Sequence, residues 1–269
     1  MKLNIVPART GLTWVKLGVR TFFKQPLAMS GLFFMFIIFM SFASLLPLIG
    51  SALALGLLPA ITLGLMAATL EATKGKFPMP TVLLSAFRAG RQRLRAMLVL
   101  GGLYALGFML IVGLTAVVDG GGFAKLYLFG GKITEEVAQQ PRFQLAMWVA
   151  LGLYAPLSML FWHAPALVHW HGVPPVQSLF YSGVACVKNF WALTVYGLAW
   201  LGVFMAVGVV MSVLMLLLGQ PQSAPAVMLP VALTLASMFF TSLYFTFRDS
   251  FVPDEPAAGA PAAPTDLPA

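Results

Sequence analysis

Charged side chains are scarce in this sequence. Lysine, arginine, aspartate and glutamate make up 9% of the residues, whereas hydrophobic residues make up 60%. A soluble globular domain carries about 25% charged residues, so this composition excludes a soluble protein. The mean hydropathy of +0.91 supports the same conclusion, because a chain this apolar needs lipid as its solvent. We therefore expect an integral membrane protein.

Sequence motifs of catalysis are absent as well. The chain has no H-E-x-x-H pair, no Walker A loop and no G-x-S-x-G nucleophile turn. The chain has a single cysteine, Cys186, so it cannot form an internal disulfide, and this side chain is expected to have a packing role. Asp119 begins an Asp-Gly-Gly-Gly sequence similar to a motif of lipid-headgroup transferases. No further aspartates follow at helical spacing, so a turn at the end of a span is predicted. We predict no enzymatic activity, no catalytic residue, no cofactor and no metal site.

Long stretches without charge predict the architecture. The runs are continuously apolar, whereas a β-barrel would alternate apolar and polar residues. We therefore predict an all-α membrane protein with a six-span domain at residues 26–248, a basic N-terminal segment at 1–25 and a disordered Pro/Ala-rich tail at 249–269. The six spans, of about 20 residues each, are predicted at Leu27–Leu46, at Leu53–Leu70, at Ala96–Val118, from after Arg142 to about Val168, and on either side of residues 219–225 within Phe190–Phe247.

Positive charge is distributed unevenly between the two predicted sides of the bundle. Thirteen of the 16 lysines and arginines fall on the side of the termini, and three fall in the Asp119–Arg142 loop on the other side. Because positively charged loops stay in the cytoplasm, we expect both termini there. The positive-inside rule then accounts for most of the net charge of +8, and no nucleic-acid partner is predicted. The basic, acid-free N-terminus also fits a mitochondrial presequence, which stays open as an alternative.

Two basic amphipathic helices are predicted at the membrane interface, each ahead of a pair of spans. They cover Thr10–Lys24 and Thr81–Arg95. Their cations share one face at about 100° per residue, and apolar residues lie opposite. Such helices suit the headgroup layer of an anionic membrane, although the cations could also do no more than fix topology. The residues predicted to contact lipid headgroups are Lys16, Arg20 and Lys24 in the first helix and Arg88, Arg91 and Arg95 in the second.

A weaker third amphipathic helix is predicted at Val176–Asn189. Its polar face consists of Ser178, Ser182 and Asn189. When the three helices are aligned, a cation falls at the same place in each, just before an apolar run. The pattern suggests an internal repeat, with a unit of one interfacial helix and a two-span hairpin used three times.

All three histidines lie in one stretch, Phe161–Gly172, with the sequence FWHAPALVHWHG. His163 and His169 are six residues apart, about 240° around a helix, so they do not share a face. A zinc site usually needs three or four ligands. His169 and His171 are expected at headgroup level, where tryptophans also occur. His163 lies deeper and is the candidate for a pore or proton site, with a structural hydrogen-bonding role or a metal ligand as the alternatives.

Two segments carry a resemblance to a known family. VPARTGLTWVKLGVRTFFKQP near the N-terminus and FWHAPALVHWHGVPPVQSLFYS in the fourth span and the following connection resemble an uncharacterised family of proteobacterial inner-membrane proteins. The resemblance covers nearly the whole chain and implies a bacterial inner membrane, without an established activity. More distantly, the chain is similar to the membrane domain fused to some glycerophosphodiester phosphodiesterases. That enzymatic activity is not implied, because no soluble catalytic domain accompanies the spans.

Two classes of function fit this distribution of residues. We predict a non-enzymatic accessory or scaffold protein that contacts anionic membrane lipid, or a partner membrane protein. Its basic helices and the small residues Gly101, Gly102 and Gly107 would supply the surfaces. The alternative is a transporter for a neutral or weakly charged small solute, with His163 lining the path. Ion-coupled transporters usually place carboxylates in the bundle, and the predicted spans contain none.

Overall fold

The computed structural model describes residues 2–46, 49–130 and 134–252, and most of them are helical. Two short strands, β1 (Lys2–Leu3) and β2 (Phe251–Val252), pair antiparallel, and two 3-10 helices lie at Pro80–Leu84 and Pro221–Ser223. The α-helices are α1 (Thr10–Lys24), α2 (Pro26–Ser44), α3 (Gly50–Thr73), α4 (Ser85–Arg88), α5 (Arg91–Asp119), α6 (Gly122–Phe129), α7 (Glu135–Ala138), α8 (Pro141–Phe161), α9 (Ala164–His171), α10 (Pro175–Lys188), α11 (Phe190–Leu217) and α12 (Ala224–Ser250).

Six helical segments in the described part of the chain are long and apolar enough to cross a membrane. They are α2, α3, α5, α8 together with α9, α11 and α12. The prediction of an all-α fold with six spans is confirmed. Because β1 pairs with β2, the first and last described residues lie together at one end of the bundle, which we call the terminal end.

The fourth span is broken where α8 ends and α9 begins. Trp162 and His163 lie between the two helices, and Pro165 sits in the first turn of α9. Proline is tolerated there because the first N–H groups of a helix have no intrahelical partner. Trp162 Nε1 donates a hydrogen bond to Thr246 Oγ1 of α12 at 3.1 Å. The break therefore places His163 outside the regular helix.

Glycines inside the bundle let helix backbones approach closely. A Cβ atom on Gly101 of α5 would lie 2.0 Å from the carbonyl oxygen of Gly56 on α3. A Cβ atom on Gly107 would lie 2.8 Å from Leu157 Cδ1. Close contacts between small residues stabilise helix pairs in membranes. Gly101 and Gly107 thus pack against other helices of the bundle and do not offer a surface to a partner. Gly102 faces open space.

Helix α1 packs on the membrane helices through small and aromatic residues. Trp14 is fully buried, and its Nε1 donates a hydrogen bond to Asp249 Oδ2 at 2.9 Å. Gly11 and Gly18 bring α1 against α11 and α12, since a Cβ atom on Gly18 would lie 2.4 Å from Ser242 Cβ. The helix has the predicted bounds, and its three cations are exposed on the other side. That these cations lie among lipid headgroups stays a prediction.

The prediction of one continuous helix over Thr81–Arg95 is wrong. The chain forms a 3-10 helix, the short helix α4 and, after a break at Gly90, the long helix α5. Gly90 has a φ of +92°, which side chains with a Cβ atom disfavour. Arg88 lies before the break, while Arg91 and Arg95 belong to the first turns of α5. The three arginines therefore do not share the face of one helix.

Helix α10 has the predicted polar face, but that face is buried. Ser178 and Ser182 are fully buried, and Asn189 just after the helix is 2% exposed. Val176 and Phe180 are exposed instead. This arrangement suits a surface that faces lipid, because hydrogen-bonding groups need partners inside the protein where water is absent.

The first and last parts of the described chain are joined by hydrogen bonds, in part through Asn189 at the end of α10. Asn189 Oδ1 accepts a hydrogen bond from Val6 N at 2.9 Å, and Asn189 Nδ2 donates to Asn4 O at 3.0 Å. Asn4 Nδ2 donates to Asp249 O at 2.8 Å. Regular structure therefore continues to the end of β2, past the predicted domain boundary at residue 248. The rest of the predicted tail, residues 253–269, lies outside the described residues.

The order of elements matches the proposed repeat unit of one short segment and two spans. Helix α1 precedes α2 and α3, α4 precedes α5 and α8, and α10 precedes α11 and α12. The three short segments differ in continuity and in which face they bury. The internal repeat, and an interfacial position for the three helices, stay predictions.

Candidate functional site

A cleft of about 630 Å³ opens between the end of α3, the loop that follows it, the start of α5 and the end of α9. Its remaining wall is the 3-10 helix Pro80–Leu84 with α4, which we call the 80–88 segment. The ring centroid of His171, at the end of α9, lies 5.9 Å from that of Phe247 near the end of α12, which places the cleft at the terminal end. The residues that line the cleft are Glu71, Lys76, Phe77, Met79, Thr81, Val82, Ser85, Arg88, Ala89, Arg93 and His169.

The cleft is cationic. Lys76, Arg88 and Arg93 line it together with one carboxylate, that of Glu71. In the described part of the chain the only ion pair is Arg248–Asp249, so no described carboxylate lies within salt-bridge distance of the three cations. Guanidinium groups bind phosphate oxygens through paired N–H donors, and lysine binds them as a point charge. The lining therefore suits a phosphate or another anionic group.

The position of Lys76 follows from the way in which α3 ends. Gly75 has a φ of +75°. The N–H groups of Gly75 and Lys76 donate to Ala72 O at 3.1 Å and to Glu71 O at 3.0 Å, respectively. These hydrogen bonds satisfy carbonyl groups that the last turn of a helix leaves free. The turn therefore holds Lys76 beside Glu71 in the lining of the cleft.

Direct backbone contact with α3 positions the 80–88 segment. A Cβ atom on Gly64 of α3 would lie 2.7 Å from Leu83 Cα, so glycine alone allows this approach. Val82 and Ala86 are buried, and Ser85 Oγ donates to Val82 O at 2.5 Å. The segment is therefore docked on α3, and the side chain at its end, Arg88, lines the cleft.

The structure brings only one of the six predicted headgroup contacts to the cleft. Arg88 lines it, and the other five cations are not among its lining residues. Lys76 lines it instead, from the turn that ends α3, and so does Arg93, from the first turn of α5 after the break at Gly90. A glycine inside a helical run was the sequence signal for that break.

The three histidines do not converge. His169 lines the cleft, His171 is exposed at the end of α9, and His163 is 1% exposed between α8 and α9. Within residues 2–46, 49–130 and 134–252, no three histidine, cysteine, aspartate or glutamate side chains lie close enough to hold a metal ion. Only His169 is placed to take part in the cleft.

His163 is packed against two aromatic rings. The centroid of its ring lies 5.5 Å from that of Phe251 and 6.1 Å from that of Phe247. Its backbone N–H donates to Ser182 Oγ at 2.9 Å, and Ser182 Oγ donates to Met159 O at 2.8 Å. Its Nδ1 atom has no hydrogen-bond partner among the described residues. His163 does not line the cleft, and its role as a pore or proton site stays a prediction.

A smaller pocket, of about 170 Å³, lies between α3, α5, α8 and α12. Tyr104 and Tyr154 line it with hydroxyl oxygens 3.4 Å apart, and Ser158 and Thr62 are also in its lining. These are neutral hydrogen-bonding groups inside the spans. They could meet a small uncharged solute, whereas the cleft at the terminal end suits an anion.

A relative of known name covers nearly the whole chain. The chain is 40% identical over 268 residues to the "Probable inner membrane protein" of Burkholderia thailandensis, and the alignment covers 98% of each protein. No protein-family profile matches the chain, and no solved structure matches it. The likeness to membrane domains fused to glycerophosphodiester phosphodiesterases stays a prediction.

Proposed function

The chain belongs to a family of bacterial inner-membrane proteins, and we propose that it is a non-enzymatic accessory or scaffold protein that binds anionic lipid headgroups in its basic cleft. One observation carries this proposal. Lys76, Arg88 and Arg93 line a single cleft at the ends of three predicted spans, and no carboxylate of the described residues lies at salt-bridge distance from them. Such a lining is costly to assemble through like-charge repulsion unless an anion occupies it.

The expected preference for anionic lipid is moderate. A lysine or arginine near an anionic membrane surface contributes about 1 kcal/mol. Three cations and one opposing carboxylate give a net contribution of about 2 kcal/mol, which corresponds to a preference on the order of thirtyfold. Added salt should reduce it, because the Debye length falls as ionic strength rises.

The cleft is proposed to face the cytoplasm. This orientation rests on the excess of lysine and arginine at the terminal end, thirteen of 16, and on the positive-inside rule. Alkaline phosphatase fused after Gly131 should be active, and the same enzyme fused after Ala269 should be inactive. The opposite pattern would contradict the orientation and would move the cleft to the periplasmic leaflet.

Lipid binding to purified protein tests the proposal. Native mass spectrometry in mild detergent, with equimolar dioleoyl phosphatidylglycerol and dioleoyl phosphatidylcholine, should show preferential retention of the anionic lipid. The triple variant Lys76→Gln, Arg88→Gln, Arg93→Gln should lose most of that preference. An unchanged preference in this variant would show that the cleft does not bind the lipid.

A matched variant separates a specific site from overall charge. Lys16→Gln, Arg20→Gln, Lys24→Gln removes the same charge from the exposed face of α1. This variant should retain most of the preference for phosphatidylglycerol, because those side chains do not line the cleft. Equal losses in the two triple variants would indicate binding by net charge alone and would contradict the site.

The scaffold part of the proposal concerns what bound lipid does. We propose that the lipid-loaded cleft, together with a partner membrane protein, organises the inner membrane near this protein. Proteins that co-purify in mild detergent with the native chain, and are lost from the cleft variant, would identify such a partner. A set of co-purifying proteins that is identical for both chains would contradict a role for the cleft in this interaction.

The alternative function is transport of a neutral or weakly charged small solute. The neutral pocket at Tyr104 and Tyr154 favours it. Proteoliposomes would then accumulate a labelled solute, and His163→Phe or Tyr154→Phe would abolish uptake while the cleft variant would leave it unchanged. That pattern would replace the scaffold proposal.

A further inference from the structure

An apolar groove of about 430 Å³ lies against the same 80–88 segment that walls the cleft. The segment contributes Leu83, Leu84 and Phe87 to the groove, and α2 and α3 form its other walls. Thr81 is the one polar residue of its lining, and Thr81 also lines the cleft. The cleft and the groove are therefore neighbouring spaces with a common wall.

The 80–88 segment divides its side chains between the two spaces. Thr81, Val82, Ser85 and Arg88 line the cleft, and three of these four side chains are polar. Leu83, Leu84 and Phe87 line the groove, together with Thr81. A short element whose polar side chains mostly line one space and whose large apolar side chains line the other thus separates a cationic space from an apolar one.

The groove lies further along the spans than the cleft. On α3, Glu71 lines the cleft and Ile61 lines the groove, and a helix of ten residues rises about 15 Å. On α2, the groove includes Phe39 and Phe42, which are 50% and 68% exposed. The groove is therefore continuous with the apolar outer surface of a membrane span, where lipid hydrocarbon lies.

We propose that the groove holds an acyl chain of the same lipid whose headgroup occupies the cleft, so that one anionic glycerophospholipid straddles the 80–88 segment. This inference rests on the proposed function. The phosphate would meet Arg88 and Arg93, and the glycerol would pass Thr81, the residue common to both spaces. One chain would lie between α2 and the pair Leu84 and Phe87.

A lipid is the occupant that matches both spaces at once. An anionic headgroup complements the cations of the cleft, and a hydrocarbon chain complements a lining with a single polar residue. Glu71 and Ile61 are about 15 Å apart along α3. One leaflet contributes half of a hydrocarbon core that is about 30 Å thick, so this distance corresponds to most of the length of an acyl chain region. A free anion such as glycerol phosphate would fill the cleft and leave the groove unused.

Photo-crosslinking tests the proposal on the whole chain in mild detergent. The probe is phosphatidylglycerol with a diazirine near the end of one acyl chain, used with an excess of unlabelled phosphatidylcholine. Crosslinked peptides identified by mass spectrometry should map to residues 35–42 and 83–87. The reference level is the labelling of Met205 and Val209 on the exposed face of α11, which are both 62% exposed. If the excess of neutral lipid reduced labelling of residues 35–42 and 83–87 to that level, the proposal would be overturned.

A variant that fills the groove separates this proposal from the headgroup site. Leu84 is 44% exposed, so Leu84→Trp should fold while its ring occupies the groove. Affinity for dioleoyl phosphatidylglycerol should fall about tenfold, the loss expected when about two methylene groups leave an apolar site. Binding of dihexanoyl phosphatidylglycerol, whose chains are too short to reach along the groove, should be unchanged. The control Val209→Trp on α11 should alter neither.

The outcomes distinguish failure of this inference from failure of the proposed function. Unchanged long-chain affinity in Leu84→Trp, together with a loss in the cleft variant of Lys76, Arg88 and Arg93, would overturn the acyl groove and leave the headgroup site intact. An unchanged preference in the cleft variant would overturn both. Loss of long-chain binding in Leu84→Trp with retention of the short-chain lipid would support the straddling lipid.

Discussion

Two segments of the molecule carry the same kind of sequence and pack in opposite ways. Helix α1 and the region from residue 80 to residue 95 both combine a row of cations with apolar residues. Helix α1 is continuous and lies directly against α11 and α12. The other region is broken at Gly90 and leaves open space on two of its faces, the cleft and the groove.

Glycines, and not cations, account for the difference. Gly11 and Gly18 share one face of α1, seven residues apart, and bring its backbone onto neighbouring helices. In the other region, Gly90 interrupts the helix, and the glycine that permits docking, Gly64, lies on α3. A basic amphipathic pattern therefore leaves open whether a segment closes against the bundle or forms the wall of a site.

The largest effect is expected from Gly18→Leu, which would separate α1 from the bundle. Its first side-chain carbon alone would lie 2.4 Å from Ser242 Cβ and 2.8 Å from Ser242 Cα. Overpacking of this kind costs about 3 kcal/mol, so thermal unfolding in detergent should occur at a clearly lower temperature. Gly31→Leu is the control, because a Cβ atom on Gly31 meets nothing within 4 Å. Equal unfolding temperatures for the two variants would contradict close packing of α1.

A smaller loss is expected from Trp14→Phe. This change keeps an aromatic ring but removes the Nε1 donor to Asp249 Oδ2. Because a hydrogen bond to a charged group contributes about 2 kcal/mol, the free energy of unfolding in denaturant titrations should fall by about that amount. Trp191→Phe, at a site 71% exposed, should change it little. If the Trp191 variant lost as much, the hydrogen bond would not be what fixes α1.

Gly64→Ala addresses the other side of the comparison. The added methyl group would lie 2.7 Å from Leu83 Cα, so the 80–88 segment would move away from α3. Affinity for phosphatidylglycerol should fall about tenfold, or about 1.4 kcal/mol, although no residue that lines the cleft or the groove is changed. Native mass spectrometry measures this, with Gly102→Ala as the control at an open position. Retained affinity would show that the segment need not be docked.

The smallest effect is expected in maleimide labelling of Cys186, which lies on α10, the third predicted amphipathic helix. Burial raises the pKa of the Cys186 thiol to about 12, so the reactive thiolate is rare below that pH. A maleimide should hardly label the native protein at pH 8, and labelling should rise after denaturation. In a Cys186→Ser background, Val187→Cys should label faster than native Cys186, since Val187 is 65% exposed beside the charged Lys188 at the end of α10. Fast labelling of native Cys186 would mean that the polar face of α10 is open.

The spans could be predicted from sequence because their signal is local. A run without charges marks a stretch that tolerates hydrocarbon, wherever its neighbours lie. The predicted run Leu53–Leu70 lies inside α3, which continues a few residues at either end, since a helix does not stop where its apolar part stops. The divergence of His163 and His169 also followed from helical spacing, although the helix is broken just before α9.

The candidate site depends on contacts between distant residues, which no local pattern contains. The charge count placed Lys76, Arg88 and Arg93 on one side of the bundle, but their convergence requires Gly64 of α3 to receive Leu83. The same limit applies to α10. Its sequence shows two faces, and only the fold decides that the polar one is buried.

The hydrogen bond from Trp14 to Asp249 joins residues that are synthesised far apart in time. Helix α1 leaves the ribosome before its partners, α11 and α12. Docking of α1 is therefore a late step in assembly, and so is the pairing of β1 with β2. Before α1 docks, its apolar residues Trp14 and Phe22 can be buried in the bilayer interface, where basic amphipathic helices bind.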